Sequence, residues 1–406
     1  MKYDVCVVGG GLVGLATARA LLEAFPGLAL TVVDKEPEVA AHQSSHNSGV
    51  VHSGLYYKPG SLKARLCVEG RDAVYELCDR VGIPAARSGK LVIASRESEI
   101  PALDELERRG RANGLVGLRR LGPEGIREFE PEAVGVAALH VPEAGIADYP
   151  AVARHLAGEI EGAGAAIRTD AAVTRIDHAV GGATVTAGDE ELRARVLINC
   201  AGLHSDRVAA LAGVSAKVRI IPFRGEYYRL SDTAASLVET LIYPVPDPRF
   251  PFLGVHFTRK IDGSVEVGPN AVLALGREHY RGTKPDWPEV RGILAHPGFR
   301  RLARRHWRSG TSEMMNSRSR RLYARLARRL VPAVHMDDLL PGGSGVRAQA
   351  VAADGSLVDD FVFEEVGTTI HVLNAPSPGA TASLAIGRHV AERARPLVVG
   401  KPSNPQ

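Results

Sequence analysis

The opening of the chain constrains its fold more than any other stretch. Tyr3 to Val8 is a short apolar run rich in β-branched residues, and Gly9, Gly11 and Gly14 follow it at once in G-x-G-x-x-G spacing. The first glycine permits a tight turn, the second lets a pyrophosphate approach the backbone, and the third lets the next helix pack closely on the strand. Residues 12–25 are apolar on most faces, as suits a helix held between a sheet and other protein, and Pro26-Gly27 stops it. Residues 30–33 supply a second strand closed by Asp34, twenty residues beyond Gly14, where an acid can accept hydrogen bonds from an adenosine ribose. A glycine triplet alone describes only a tight strand-to-helix turn. Strand, turn, helix, second strand and terminal acid in register predict an α/β domain of the Rossmann type that binds a dinucleotide.

Composition excludes several other classes. A net charge of +4 over 406 residues is too small for a nucleic-acid binder, and neither aromatic-basic interleaving nor metal-ligand spacing is present. Cys6, Cys67, Cys78 and Cys200 show no C-x-x-C pairing and read as reduced, buried thiols of a cytoplasmic protein. The chain starts directly on its first strand, so no signal peptide is expected. No apolar run reaches the roughly eighteen residues that span a bilayer, which leaves only peripheral membrane contact.

Residues 35–57 are dense in Ser, His, Asn and Gly. Here Ser44-Ser45-His46-Asn47-Ser48-Gly49 runs into His52-x-Gly54-x-Tyr56-Tyr57. With the glycine turn and Asp34-Lys35-Glu36, this resembles the FAD-dependent oxidoreductases of the D-amino-acid oxidase and glycerol-3-phosphate dehydrogenase superfamily. Within it the chain is most similar to the L-2-hydroxyglutarate oxidases and dehydrogenases, which usually carry Glu where this sequence has Asp34. The likeness continues through residues 222–227, 251–257, 265–270, 345–349 and 374–381.

The resemblance implies a glutathione-reductase-like FAD-binding domain built from residues 1–85, 146–216 and 340–406. Residues 86–145 and 217–339 would then form a mostly antiparallel α+β substrate domain. It also implies the FAD contacts. Gly9, Gly11, Gly14, Asp34 and Lys35 would hold the adenosine and phosphates, and Ser44 to Gly49 would run along the pyrophosphate and isoalloxazine. His46 occupies a position that some related amine dehydrogenases join covalently to flavin. Val173 would meet the adenine, and Ala201-Gly202 would make a second glycine approach. Arg347 and the Pro378-Gly379-Ala380-Thr381 turn would face the flavin. A helix N-terminus after that turn suits the negative charge of reduced flavin.

The reaction implied is oxidation of an anionic L-2-hydroxy acid to the 2-oxo acid. Arg224 or Arg347 is the expected carboxylate clamp, because a planar guanidinium matches a carboxylate bidentately. His256, ahead of His52, is the expected base. Two alternatives accompany this reading: oxidation of an amino acid or amine, which favours an aromatic, less basic pocket, and a redox-silent flavoprotein. The electron acceptor would be oxygen or a membrane quinone. Residues 299–330 hold eleven arginines and a single acid, Glu313. They read either as a solvated basic helical face or as a peripheral contact with anionic lipid on the inner face of the cell membrane.

Overall fold

The apolar run at the start forms the strand Lys2–Val8, and the glycine turn delivers the chain into the helix Leu12–Ala24. The computed structural model describes residues 2–246, 254–280, 284–305 and 319–400. The chain divides into two units, one made of Met1–Ser45, Tyr149–Ile221 and Ala348–Gln406, the other of His46–Asp148 and Pro222–Arg347.

In the first unit, Lys2–Val8 is the middle of a parallel array. Leu30–Val33 pairs with one edge and Glu190–Asn199 with the other, while Ala166–Arg168 extends the array beyond Leu30–Val33 and Thr369–Asn374 extends it beyond Glu190–Asn199. Val5, Cys6 and Val7 are fully buried, the continuous apolar pattern expected of a parallel strand covered on both faces. Antiparallel strands Val173–Ala179 and Gly182–Ala187 join through the first half of Glu190–Asn199. The last helix, Ser383–Val399, packs on Leu12–Ala24. That crossing is close enough to require glycine, since a Cβ on Gly387 would stand 2.4 Å from the Ala16 carbonyl oxygen.

Among the described residues the second unit is built on a nine-stranded mixed sheet. Along the run of strands from Val272–Leu273 to Arg119–Leu121 the pairings are antiparallel apart from the parallel pair Leu241–Pro244 and Lys90–Ala94. Alternation of side chains along Lys90–Ala94 gives the sheet two cores. Leu91 and Ile93 face one that includes Phe257, Val267 and Tyr323; Val92 and Ala94 face another that includes Leu55, Leu106 and Tyr243.

The domain boundaries expected from the sequence are modified. Residues 46–85, expected with the dinucleotide domain, belong to the second unit, where Val50 and Leu55 join the second of these cores. In the basic stretch, Arg320–Ala327 is helical, and its buried edge is Tyr323, Ala324 and Ala327, with Leu330 beyond. Residues 306–318 of that stretch, and Pro251, Phe252 and Leu253 of the substrate sheet, lie outside the described residues.

Candidate functional site

In the first unit the glycine turn has the dimensions of a phosphate cradle. Gly9 has φ +110°, and a Cβ there would lie 2.4 Å from the Cys200 carbonyl oxygen; one on Gly14 would lie 1.8 Å from the Gly9 carbonyl oxygen. Gly11 differs, because its Cβ would meet only the Ser44 hydroxyl, at 3.1 Å, so its outer side is open to a ligand. Ser44 Oγ accepts the Leu12 N–H at 2.9 Å. The N–H groups of Val13 and Gly14 remain as first-turn donors, which have no carbonyl one turn back within the helix. Asp34 braces the turn from the neighbouring strand end: Oδ2 accepts the Gly10 N–H at 2.6 Å and Oδ1 the Glu36 N–H at 2.9 Å. Each oxygen keeps lone-pair capacity for a ribose hydroxyl. Lys35 is ion-paired with Glu36, whose carboxylate also takes His42 Nε2 at 2.7 Å. These contacts, the Lys35 hydrogen bond foremost, hold Glu36 below the usual carboxylate range.

A second turn is held by the fully buried Asn199. Its Oδ1 accepts the Ala201 N–H at 3.1 Å, and its Nδ2 donates to the Ser205 carbonyl at 2.8 Å and to His371 Nδ1 at 3.1 Å. Because Nδ1 accepts, the His371 proton sits on Nε2, facing Thr369 Oγ1 at 3.0 Å. The network thus fixes the Cys200-Ala201-Gly202 backbone, with Gly202 in the left-handed region at φ +51°. Val173 begins the strand Val173–Ala179 opposite Ala187. Pro378, Gly379, Ala380 and Thr381 lead into Ser383–Val399; the Thr381 hydroxyl is buried against the Tyr149 hydroxyl at 3.1 Å. Asn374 donates to the carbonyls of Val358 and Asp360, at 3.0 and 2.9 Å, anchoring the start of that turn.

In the second unit, adjacent strands place Lys90, Tyr243 and His256 on one face of the sheet. Tyr243 is the middle member: its ring centroid lies 3.9 Å from that of His256 and 4.8 Å from Lys90 Nζ. Lys90 Nζ also lies 4.7 Å from the Tyr56 ring. His256 Nδ1 lies 3.0 Å from the Gly254 carbonyl oxygen. A carbonyl only accepts, so Nδ1 carries the proton and neutral His256 presents a lone pair on Nε2.

Burial, with the positive charges of Arg347 and Lys90, pushes His256 down to about 3. His52 is driven well below its ordinary value by burial first, then by Lys90, His256, Arg347 and Lys63. His52, His256 and Arg347 therefore share one cationic environment. The Arg347 guanidinium lies against the Tyr227 phenol, and among the described residues no carboxylate is paired with it.

Arg224 is elsewhere engaged. Its Nη2 donates to Glu226 Oε1 at 2.6 Å, and Glu226 is held in turn by Asn270, whose Oδ1 accepts the Glu226 N–H at 2.8 Å. The pairing compensates a guanidinium that is largely buried. Of the stretch 44–49, Ser44 and Ser45 fall in the first unit and the rest in the second. There the His46 ring lies 4.0 Å from that of Tyr280, Asn47 Oδ1 accepts the Gly49 N–H at 2.9 Å, and Gly49 adopts φ +73°. Ser48 is half-buried between them.

The family model for FAD dependent oxidoreductases matches residues 4–393. The chain belongs to the FAD-dependent oxidoreductase family. L-2-Hydroxyglutarate dehydrogenase of Indibacter alkaliphilus is 45% identical over 97% of this chain and 98% of its own length. The mitochondrial L-2-hydroxyglutarate dehydrogenase of Homo sapiens is 43% identical over 96% of this chain and 88% of its own. Among solved structures, L-alpha-glycerophosphate oxidase from Mycoplasma pneumoniae with FAD bound superposes with a TM-score of 0.78 at 24% identity, covering 99% of this chain and 96% of that one. Glycine oxidase from Geobacillus kaustophilus gives 0.71 at 20% identity, covering 97% and 95%. At these identities the structural likeness establishes the fold.

The residues of this FAD-dependent oxidoreductase fit its cofactor. The open side of Gly11, the first-turn donors of Val13 and Gly14, and the spare lone pairs of Asp34 suit a pyrophosphate and a ribose. Lys90, Tyr243, Tyr227 and Lys63 were not singled out from sequence. The available signal was a lysine heading the apolar run Lys90-Leu91-Val92-Ile93-Ala94, where a charge is seldom buried.

Proposed function

We propose that this FAD-dependent oxidoreductase oxidises L-2-hydroxyglutarate to 2-oxoglutarate, with Arg347 as carboxylate clamp and His256 as base. The observation that carries the substrate is identity of 42 to 45% with L-2-hydroxyglutarate dehydrogenases over nearly the whole chain, both units included. Bound FAD supplies the hydride acceptor.

The chain's own residues account for the remaining tasks. Arg347 offers a guanidinium that no carboxylate matches among the described residues, suited to grip the C1 carboxylate bidentately. His256 offers Nε2 to the C2 hydroxyl, its tautomer set by the Gly254 carbonyl. An imidazole held at about 3 is a weak base. The two carboxylates of the substrate reverse the local field, raising its affinity for a proton when the hydroxyl is in place. His52, in the same environment, orients the substrate or shares the proton.

The cationic setting of Lys63, Lys90 and Arg347 favours a dianion over an amino acid or amine, whose ammonium it would repel. Reoxidation by oxygen or a membrane quinone completes the cycle. A peripheral quinone route would use the exposed arginines Arg300, Arg301, Arg304, Arg305, Arg321, Arg325, Arg328 and Arg329 against anionic lipid. Since Tyr323, Ala324 and Ala327 face the protein core, that contact would be electrostatic and lost at high salt. No helix among the described residues is long and apolar enough to cross a membrane.

The test is anaerobic mixing of the FAD-loaded protein with L- and D-2-hydroxyglutarate, other 2-hydroxy acids and amino acids. L-2-Hydroxyglutarate should bleach the flavin band fastest. Faster bleaching by an amino acid or amine, or none by any of them, would overturn the reading.

A further inference from the structure

Lys90 is 1% exposed, and its Nζ has no hydrogen-bond acceptor among the described residues. An ammonium in that state is costly, because burial removes its water and nothing of opposite charge replaces it. The rings of Tyr56 and Tyr243, at 4.7 and 4.8 Å, return only part of that cost. Leu or Met would fill the same place in an apolar strand without penalty. A buried cation kept unpaired beside a substrate base has the form of half an ion pair whose other half arrives with the ligand.

Its position relative to His256 sets what that ligand must be. Lys90 and His256 stand on strands flanking the strand of Tyr243, with all three side chains on one face. Lys90 Nζ is 4.8 Å from the Tyr243 centroid and the His256 ring is 3.9 Å from it, so the two groups are separated by at most about 9 Å. Arg347 also acts on His256, so the base has two cations around it. A 2-hydroxy monocarboxylate can engage only one of them.

We propose that Lys90 binds the distal carboxylate of the substrate and so selects a 2-hydroxy dicarboxylate with two methylenes between the hydroxyl-bearing carbon and that carboxylate. This rests on the reading of L-2-hydroxyglutarate as substrate and adds the residue that reads its far end. In this arrangement Arg347 takes the C1 carboxylate, His256 Nε2 the hydroxyl, and Lys90 the C5 carboxylate over the edge of the Tyr243 ring. Tyr243 acts as a spacer that keeps cation and base apart by the length of the substrate.

The experiment compares wild type, Lys90→Met and Lys90→Gln as FAD-loaded enzymes on L-2-hydroxyglutarate and on L-2-hydroxypentanoate, which lacks only the distal carboxylate. Removing one partner of a desolvated charge pair weakens binding about 30-fold or more. Both variants should therefore lose about that factor of kcat/KM preference for the dicarboxylate, through KM far more than through kcat. Calorimetry with 2-oxoglutarate and 2-oxopentanoate gives the same comparison without turnover, and only 2-oxoglutarate should weaken. If either folded, yellow variant keeps the wild-type preference, or weakens on both ligands equally, the assignment is overturned. If wild type itself fails to oxidise L-2-hydroxyglutarate, it is the substrate reading that fails, a result distinct from unchanged preference in the variants.

Discussion

The Ser44 hydroxyl accepts the backbone N–H of Leu12 at 2.9 Å, so the first helix is capped from a loop far along the chain rather than by its own N-cap residue, Gly11. The bond ties the serine-rich loop to the phosphate cradle. Ser44→Ala should cost about 1 kcal/mol of stability, the usual loss for a helix cap. It should also weaken FAD binding, because the loop is released where the cofactor's phosphates approach. Thermal unfolding with and without added FAD checks both, and an unshifted melting temperature would show that the cap contributes nothing.

The glycine turn gives a sharper contrast. A Cβ on Gly14 would lie 1.8 Å from the Gly9 carbonyl oxygen, whereas one on Gly27, at φ +82°, meets nothing within 4 Å. Gly14→Ala should yield protein without flavin or no folded protein. Gly27→Ala should remain yellow and lose only about 1 kcal/mol through its left-handed backbone. The ratio of flavin to protein absorbance decides the matter.

Replacing His256 with Gln should slow flavin reduction by L-2-hydroxyglutarate about 10²- to 10⁴-fold, the usual value of a general base, with FAD still bound. His52→Gln is the comparison. Reduction of the His256 variant at the wild-type rate in rapid mixing would remove His256 from the role.

The same histidine predicts a response to acid. In the folded chain it is held at about 3, below the ordinary imidazole value of 6.5, so between those values the unfolded chain binds the extra proton. Its contribution to stability is therefore full above pH 6.5 and is lost as pH falls toward 3, at about 1.4 kcal/mol per pH unit. His256→Gln should flatten the fall in unfolding free energy between pH 6 and 4. An unchanged slope would show that His256 is not buried neutral.

Lys90 is likewise a base whose positive form burial disfavours, but it titrates at higher pH. Burial lowers it from 10.5 to about 8, so the folded chain gives up a proton more readily than the unfolded one, and stability rises with pH between about 8 and 10.5. Below pH 8 the whole penalty is present. Its surroundings are the neutral rings of Tyr56 and Tyr243, the Cys67 thiol, and His52 and His256. Lys90→Met should thus be more stable than wild type at pH 7 by on the order of 1–3 kcal/mol. Denaturant titration at pH 7 and pH 10 measures this, and a variant less stable at pH 7 would mark Lys90 as a structural cation.

Local signals made much of this readable from the residues alone. The cradle was legible because its strand, glycines, helix and acid are contiguous. The burial of His256 was legible because it stands beside apolar residues such as Phe257. The engagement of Arg224 was also encoded, since residues two apart on a strand share a face and Glu226 stands two beyond Arg224. Lys90 was not legible: its burial depends on Tyr56 and Tyr243, which only the sheet register brings to it. Residues 46–85 were assigned by their place after the dinucleotide motif, whereas Val50 and Leu55 bury their side chains against strands that come much later.

The close crossing of Gly387 on Ala16 has a consequence for biosynthesis. The cradle is synthesised long before the helix that covers Leu12–Ala24, which begins at Ser383. Throughout translation the apolar back of that helix waits without its cover. A cradle packed as in the folded chain therefore forms only after Ser383–Val399 has been synthesised, and a nascent chain lacking that helix leaves the nucleotide-binding module uncovered.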